Sequence, residues 1–245
     1  MDNAIYVGLS RQMILEREMD ITANNLANVD TVGFKFESMI SNQDPATMPT
    51  LNQPPTAVNF VAGVAVARDF TEGSLTQTGS PLDVAIEGRG FFQINTAAGP
   101  RYTRDGRFRM DASGTITDQD GDPVDGGGAI VLDPKKGPVT ISANGVVSQS
   151  GENVGKVSLY NFDSLSALSK DGNNQYRNDS NLTPTASTSA NMRQGFLEQS
   201  NVEPIRQITR LIEINRAYDA MNSMISSTSD LSNSAVQRLG AVNPS

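Results

Sequence analysis

From Leu211 onward the chain places Leu211, Ile214, Tyr218, Met221, Ile225, Thr228, Ser232, Ala235 and Leu239 at alternating spacings of three and four. That period, held over about four heptads, is the seam of a long helix meant to lie against another helix. It is apolar at first and weakens into Thr228 and Ser232, so the helix is marginal unless its seam is covered. Pro204 suits the first turn, Ser200 or Asn201 suits the cap, and Gly240 suits the stop. Arg216 falls outside the seam, where an ion pair to an adjacent chain and a solvated side chain are equally open.

The other end predicts a second helix over residues 4–28, with Gly8 its only glycine and no proline. Ile5, Met19 and Leu26 form one apolar line, and Val7, Ile14 and Ile21 form another about half a turn away. Two lines mean burial on two sides, either inside one domain or against several neighbours. The end of this helix, "ANNLANVDTVGFK" (23–35), is filled with asparagines that compete with the backbone for hydrogen bonds. A frayed end running into a turn at Gly33 is one reading of it.

Between the helices the character changes. Residues 41–58 hold four prolines and little hydrophobic period, which predicts an extended connector. Alternating runs then follow: "PLDVAIEG", "FFQINT", "AIVLD", "PVTIS" and "KVSLYNF". Asp105-Gly106 and Asn144-Gly145 lie between such runs and predict hairpins. The fold class expected is α+β: discontinuous N- and C-terminal coiled-coil helices with a central all-β domain. The expected borders are an N-terminal helical segment at 1–37, a connector at 38–58, the β domain at 59–181, a return linker at 182–200 and the C-terminal helix at 201–245.

Composition narrows the chemistry. The chain has 245 residues, a net charge of -8, 19 Lys plus Arg, no cysteine and no histidine. Thiol nucleophiles, triads built on imidazole and Cys/His zinc sites are therefore excluded. The charge argues against a nucleic-acid surface. No run is long and apolar enough to span a membrane, and the N-terminus lacks the pattern of a cleaved signal peptide. Asp118, Asp120 and Asp122 alternate like the start of a calcium loop, but Pro123 stands where glycine is needed and Ala129 where glutamate is needed. "EGRGF" lacks the third glycine of a dinucleotide site. A glycosidase-type pair of carboxylates needs neither His nor Cys and stays open, though the chain has no tryptophan for a sugar platform. No catalytic, cofactor-binding or metal residue is assigned.

The stretch 23–35 resembles the signature of the flagellar rod and hook proteins: Ala-Asn-Asn-Leu-Ala-Asn, two variable residues, Thr, one variable residue, Gly-Phe-Lys. The resemblance extends to "GSLTQTGSPLDVAIEGRGFFQI", "RYTRDGRFRMDASGTITDQDGDPV" and "GFLEQSNVEPIRQITRLIEINRAYDAM", in family order. The opening and the length look most like the proximal-rod members, whereas the tail "SSTSDLSNSAVQRLG" is more polar than the family pattern. The resemblance implies a non-enzymatic structural subunit that polymerises axially through its terminal helices into a torque-transmitting shaft crossing the periplasm. It implies as partners other proximal-rod subunits, the distal-rod subunit, further copies of itself and the flagellar type III export apparatus, which takes it without a cleaved signal. No nucleic acid and no membrane span are expected. The assembly interface expected comprises Asn24, Asn25, Leu26, Asn28, Thr31, Gly33 and Phe34, with Leu211, Ile214, Tyr218, Met221 and Ile225 on the seam. The asparagines would bond neighbouring backbones, and Phe34 would pack on its own β domain or on a neighbour. A distal-rod or hook-like subunit and an envelope-acting hydrolase carried with the rod are the alternative readings.

Overall fold

The computed structural model describes residues 2–41, 64–180, 182–187 and 189–240. The chain divides into two compact units, one formed by residues 1–27, 37–68 and 203–245, the other by residues 28–36 and 69–202. The architecture is α+β.

The first unit contains helix α1 (Asp2–Ala27), the antiparallel pair β1 (Glu37–Ser41) and β2 (Val64–Arg68), and helix α2 (Pro204–Gly240). The helices lie antiparallel. Gln12 Nε2 donates to Tyr218 Oη and to Asn222 Oδ1, both at 2.9 Å, and Arg210 donates to Glu18 nearer the other end of the contact. Along α2, Leu211, Tyr218, Met221, Ile225 and Thr228 are half-buried and Ile214 is buried, while most residues between them are exposed. The side chains of Ser232, Ala235 and Leu239 lie outside the described residues.

On α1 the covered line runs through Gly8, Leu15 and Thr22, one heptad apart, with Ile21 and Asn25 buried near its end. Val7, expected in an apolar line, is 48% exposed, and the side chain of Ile5 lies outside the described residues. The correction has a simple cause. A Cβ on Gly8 would stand 3.0 Å from Ile225 Cγ1 and 3.7 Å from Met221 Sδ, so at this turn the helices approach over a missing side chain and Val7 beside it is turned outward. Thr22 is tolerated in the seam because its hydroxyl donates to the Glu18 carbonyl at 2.8 Å.

At the start of α2 neither expected cap serves. Pro204 opens the helix, Gln207 N–H donates to the Glu203 carbonyl, and the side chains of Ser200 and Asn201 bond elsewhere. Of the expected connector, residues 42–58 lie outside the described residues, while residues 38–41 belong to β1.

The second unit is all β apart from one 3-10 turn. Its strands are β3 (Leu75–Gln77), β4 (Val84–Glu87), β5 (Phe91–Thr96), β6 (Gly99–Thr103), β7 (Arg109–Met110), β8 (Ile116–Thr117), β9 (Val139–Ile141), β10 (Val146–Gln149), β11 (Glu152–Lys156), β12 (Leu159–Asn161), β13 (Leu168–Lys170), β14 (Gln175–Asn178), β15 (Thr185–Ala186), β16 (Asn191–Gln194) and β17 (Phe196–Glu198). The largest sheet has the order β13-β14-β6-β5-β12-β15, and all of its neighbouring strands pair antiparallel. Neighbouring residues of a strand face opposite ways, so Phe91 and Phe92 supply two separate cores. Phe92 packs with Phe108, Ile94, Ile116 and Val147; Phe91 packs with Tyr102, Phe162 and Tyr176. Edge-to-face rings at 4.9 Å (Phe92 with Phe108) and 4.7 Å (Tyr102 with Phe162) fix both.

Of the two hairpin signals, Asn144-Gly145 joins β9 to β10, with Gly145 at positive φ and its N–H on the Ser142 carbonyl. Asp105-Gly106 joins no hairpin, because β7 pairs with β8 and not with β6. Gly106 is there for contact: its carbonyl accepts Val84 N–H at 3.0 Å, and a Cβ would fall 1.7 Å from the Val84 oxygen. "AIVLD" forms no ladder of its own beyond an isolated bridge from Val131 to Thr115. The turn at Asp118 is held by its own carboxylate, which accepts Asp120 N–H at 3.0 Å and Asp122 N–H at 2.9 Å.

Candidate functional site

Each unit contains part of the asparagine-rich signature. In the helical unit Asn25 is 1% exposed, and its amide donates to the Glu37 carbonyl at 2.7 Å while accepting Glu37 N–H at 2.9 Å. A carboxamide is the short side chain that offers a donor and an acceptor side by side, so Asn25 pairs with the start of β1 as a neighbouring strand would. Asn24 is exposed and Leu26 is half-buried.

In the β unit Asn28 shapes the turn that follows α1: its carbonyl accepts Thr31 N–H and its side-chain oxygen accepts the Thr31 hydroxyl at 3.1 Å. Gly33 has φ of 69°, donates its N–H to the Glu198 carbonyl at 2.7 Å, and would carry any Cβ to within 2.6 Å of the Arg104 carbonyl carbon. Both conditions demand glycine. Phe34 is 2% exposed in its own β unit, with the Lys170 ammonium 4.4 Å above its ring. Val32 is held through its carbonyl by Asn174 Nδ2 at 2.7 Å, and Phe36 N–H donates to Asn201 Oδ1 at 2.7 Å.

Lys35 forms the centre. Its ammonium donates to Glu198 Oε1 and to the Thr71 carbonyl, both at 2.6 Å, with no solvent exposure of either charged side chain. Glu198 Oε1 also accepts Gly73 N–H at 3.0 Å, and Oε2 accepts from Arg104 Nη1 at 2.8 Å. Arg104 spends its other donors on the carbonyls of Gly90 and Gly88. Burial pulls the Lys35 ammonium below the usual lysine range, and the adjacent Glu198 carboxylate opposes the shift.

Thus five successive residues, Val32 to Phe36, are each fastened to the β unit. Thr31, Gly33 and Phe34 are legible in the sequence as interface candidates, whereas Lys35, Glu198, Arg104 and Asn174 are not, and Asn201 reads there as one of two candidate helix caps. A usable signal exists: a lysine between two phenylalanines, and a glutamate ending the run Phe196-Leu197, are charges at positions built for burial. Of the residues expected at an assembly interface, Gly33 and Phe34 belong to this cluster. Among the described residues no group of three or more His, Cys, Asp or Glu is arranged to hold a metal ion, and no helix is long and apolar enough to cross a membrane.

Three family models match the chain: "Flagella basal body rod protein" over residues 5–35, "Flagellar hook protein FlgE/F/G D1 domain" over 85–149 and "Flagellar basal body rod FlgEFG protein C-terminal" over 193–238. The flagellar basal-body rod protein FlgF of Caulobacter vibrioides is 49% identical, covering 99% of this chain and 100% of its own length. FlgF of Mesorhizobium japonicum is 38% identical over 98% of this chain and 99% of its own. The rod protein FlgG of Bacillus subtilis is 33% identical over 93% of this chain and 95% of its own. With identity at this level over its whole length, and the Asn-Asn-Leu-Ala-Asn and Gly-Phe-Lys residues placed as above, the chain belongs to the flagellar basal-body rod protein family.

Proposed function

We propose that this chain is a structural subunit of the flagellar rod, in its proximal segment, and that it acts by assembly and not by catalysis. The observation that carries the reading is the helical unit. Tyr6, Leu9 and Met13 of α1, and Ile205, Ile208 and Ile212 of α2, remain exposed, Ile205 at 79% and Met13 at 63%. Large apolar side chains at helical spacing left in water on two long helices favour further helices as neighbours. Other rod subunits and further copies of this chain fill that role, and repetition of one contact along an open axis builds a shaft. The seam residues Leu211, Ile214, Tyr218, Met221 and Ile225 hold α2 in the helical unit so that its other face stays free for those neighbours. Asn24 is exposed on α1 with Leu26 half-buried; Asn25 fixes the end of α1 within the helical unit, and Asn28, Thr31, Gly33 and Phe34 fix the following segment within the β unit.

The full-length match to relatives called FlgF, at higher identity than those called FlgG, supports the proximal position. The place of work is then the rod where it crosses the periplasm, reached through the flagellar type III export apparatus. The FlgG likeness favours a distal-rod subunit as the second reading. Counting copies in purified basal bodies separates the two: few copies support the proximal segment and many the distal one. Loss of this chain that leaves motility and rod length intact would overturn both.

A further inference from the structure

Four points of the backbone pass between the two units: Ala27 to Asn28, Phe36 to Glu37, Arg68 to Asp69 and Val202 to Glu203. Near three of these points, residues of the β unit converge on two side chains. Asn201 accepts Phe36 N–H and donates to the carbonyls of Asp69 at 2.9 Å and Thr71 at 3.2 Å. Glu198 gathers Lys35, Gly73 N–H and Arg104 on its carboxylate and Gly33 N–H on its carbonyl.

The charges make Glu198 the member on which the others depend. Two buried cations share one buried anion, so without that anion Lys35 and Arg104 repel each other with no water to solvate them. The next carboxylate acting on Lys35 is Glu72, which is exposed and already accepts Gly88 N–H at 2.6 Å. The two hydrophobic cores contain none of Lys35, Glu198, Arg104 or Asn201, although the Arg104 guanidinium lies 5.8 Å from the Phe91 ring. Phe70 packs its ring 5.5 Å from Phe91 in the second core, so a local opening that spares the core around Phe92 is the one available to the fold.

We infer that the Glu198 carboxylate is a latch: it ties residues 33–36 and 71–73 to one point of the β unit, and its loss frees them while the core around Phe92 stays folded.

Amide hydrogen exchange on the full chain tests this. In Glu198→Gln, the amides of Gly33, Phe36 and Gly73 should exchange on the order of 100-fold faster, the loss that follows when a buried charge loses its partner, while those of Ile94 and Val147 keep their rates. Adding Lys35→Met removes one of the two stranded cations, so the double variant should regain about tenfold of that protection. A side chain acting through shape alone would show no such rescue. If Glu198→Gln does not fold, Lys35→Met alone is read: it keeps the pair of Glu198 and Arg104 and should loosen the same three amides. Unchanged protection at Gly33, uniform loss that includes Ile94 and Val147, or global unfolding of both Glu198→Gln and Lys35→Met would overturn the latch.

Discussion

At the residue scale, the asparagines of the signature are chosen for what a carboxamide does at one backbone position each. Asn25 replaces a strand edge for Glu37, so Asn25→Ala strands a buried N–H and a buried carbonyl. The expected loss is about 1–3 kcal/mol, read as a lower urea midpoint with an unchanged slope; a shift no larger than that of an exposed alanine substitution would reject the pairing. A second residue gives a pH signature. Tyr160 is pushed up to about 12, first by burial and then by the hydrogen bond from its hydroxyl to Asp125 at 2.7 Å. Its folded value lies above the ordinary value near 10, so the native state keeps a proton that the unfolded chain releases. Its contribution is complete below pH ~10 and is lost as pH rises toward ~12. Urea unfolding at pH 9 and 11 should show a drop in stability that Tyr160→Phe reduces, and an equal drop in both proteins would refute the assignment.

At the element scale, the helical pair depends on a missing side chain. Gly8→Leu puts a branched group where a single Cβ already touches Ile225, so α1 and α2 must separate. Circular dichroism should show loss of helix with the β unit's melting unchanged; a helix signal equal to the parent's would mean the helices do not need this approach. Ile214 is 2% exposed on the seam, and Ile214→Ala should cost about 2–5 kcal/mol, again confined to the helical transition. The two hairpin signals separate for a related reason. A glycine after Asn or Asp marks a place where the chain needs positive φ or close contact, and only the partner strand decides between them. At Gly145 both needs meet, a turn at positive φ with the Val157 carbonyl close behind it; at Gly106 the need is the Val84 carbonyl.

At the scale of the whole molecule, the β unit is closed by residues distant in sequence. Lys35 and Glu198 stand 163 positions apart yet share one buried ion pair. A fragment spanning 28–202 should keep the melting transition of the β unit, whereas one spanning 59–181 should lose much of it, since it lacks both Lys35 and Glu198. Limited proteolysis with intact-mass readout measures where the resistant core ends; a stable core at 59–181 would contradict this.

What the sequence by itself determined is what local periodicity carries: two terminal helices, the seam on α2, an alternating β centre, and a chain without thiol or imidazole chemistry. The signature could also be read, because its asparagines and Gly33 break local rules visibly enough to require a reason. What only the tertiary structure decided is the partner of each exception. Lys35, flanked by phenylalanines, reads as a charge placed for burial but without a partner until Glu198 and Arg104 surround it, Asn201 looks like a cap until Phe36 takes its oxygen, and Gly8 looks like a weak point until Ile225 lies over it. Pattern reports which side chains leave water; it has no term for which buried charge meets which, because that is set by contacts between segments that the chain separates by most of its length.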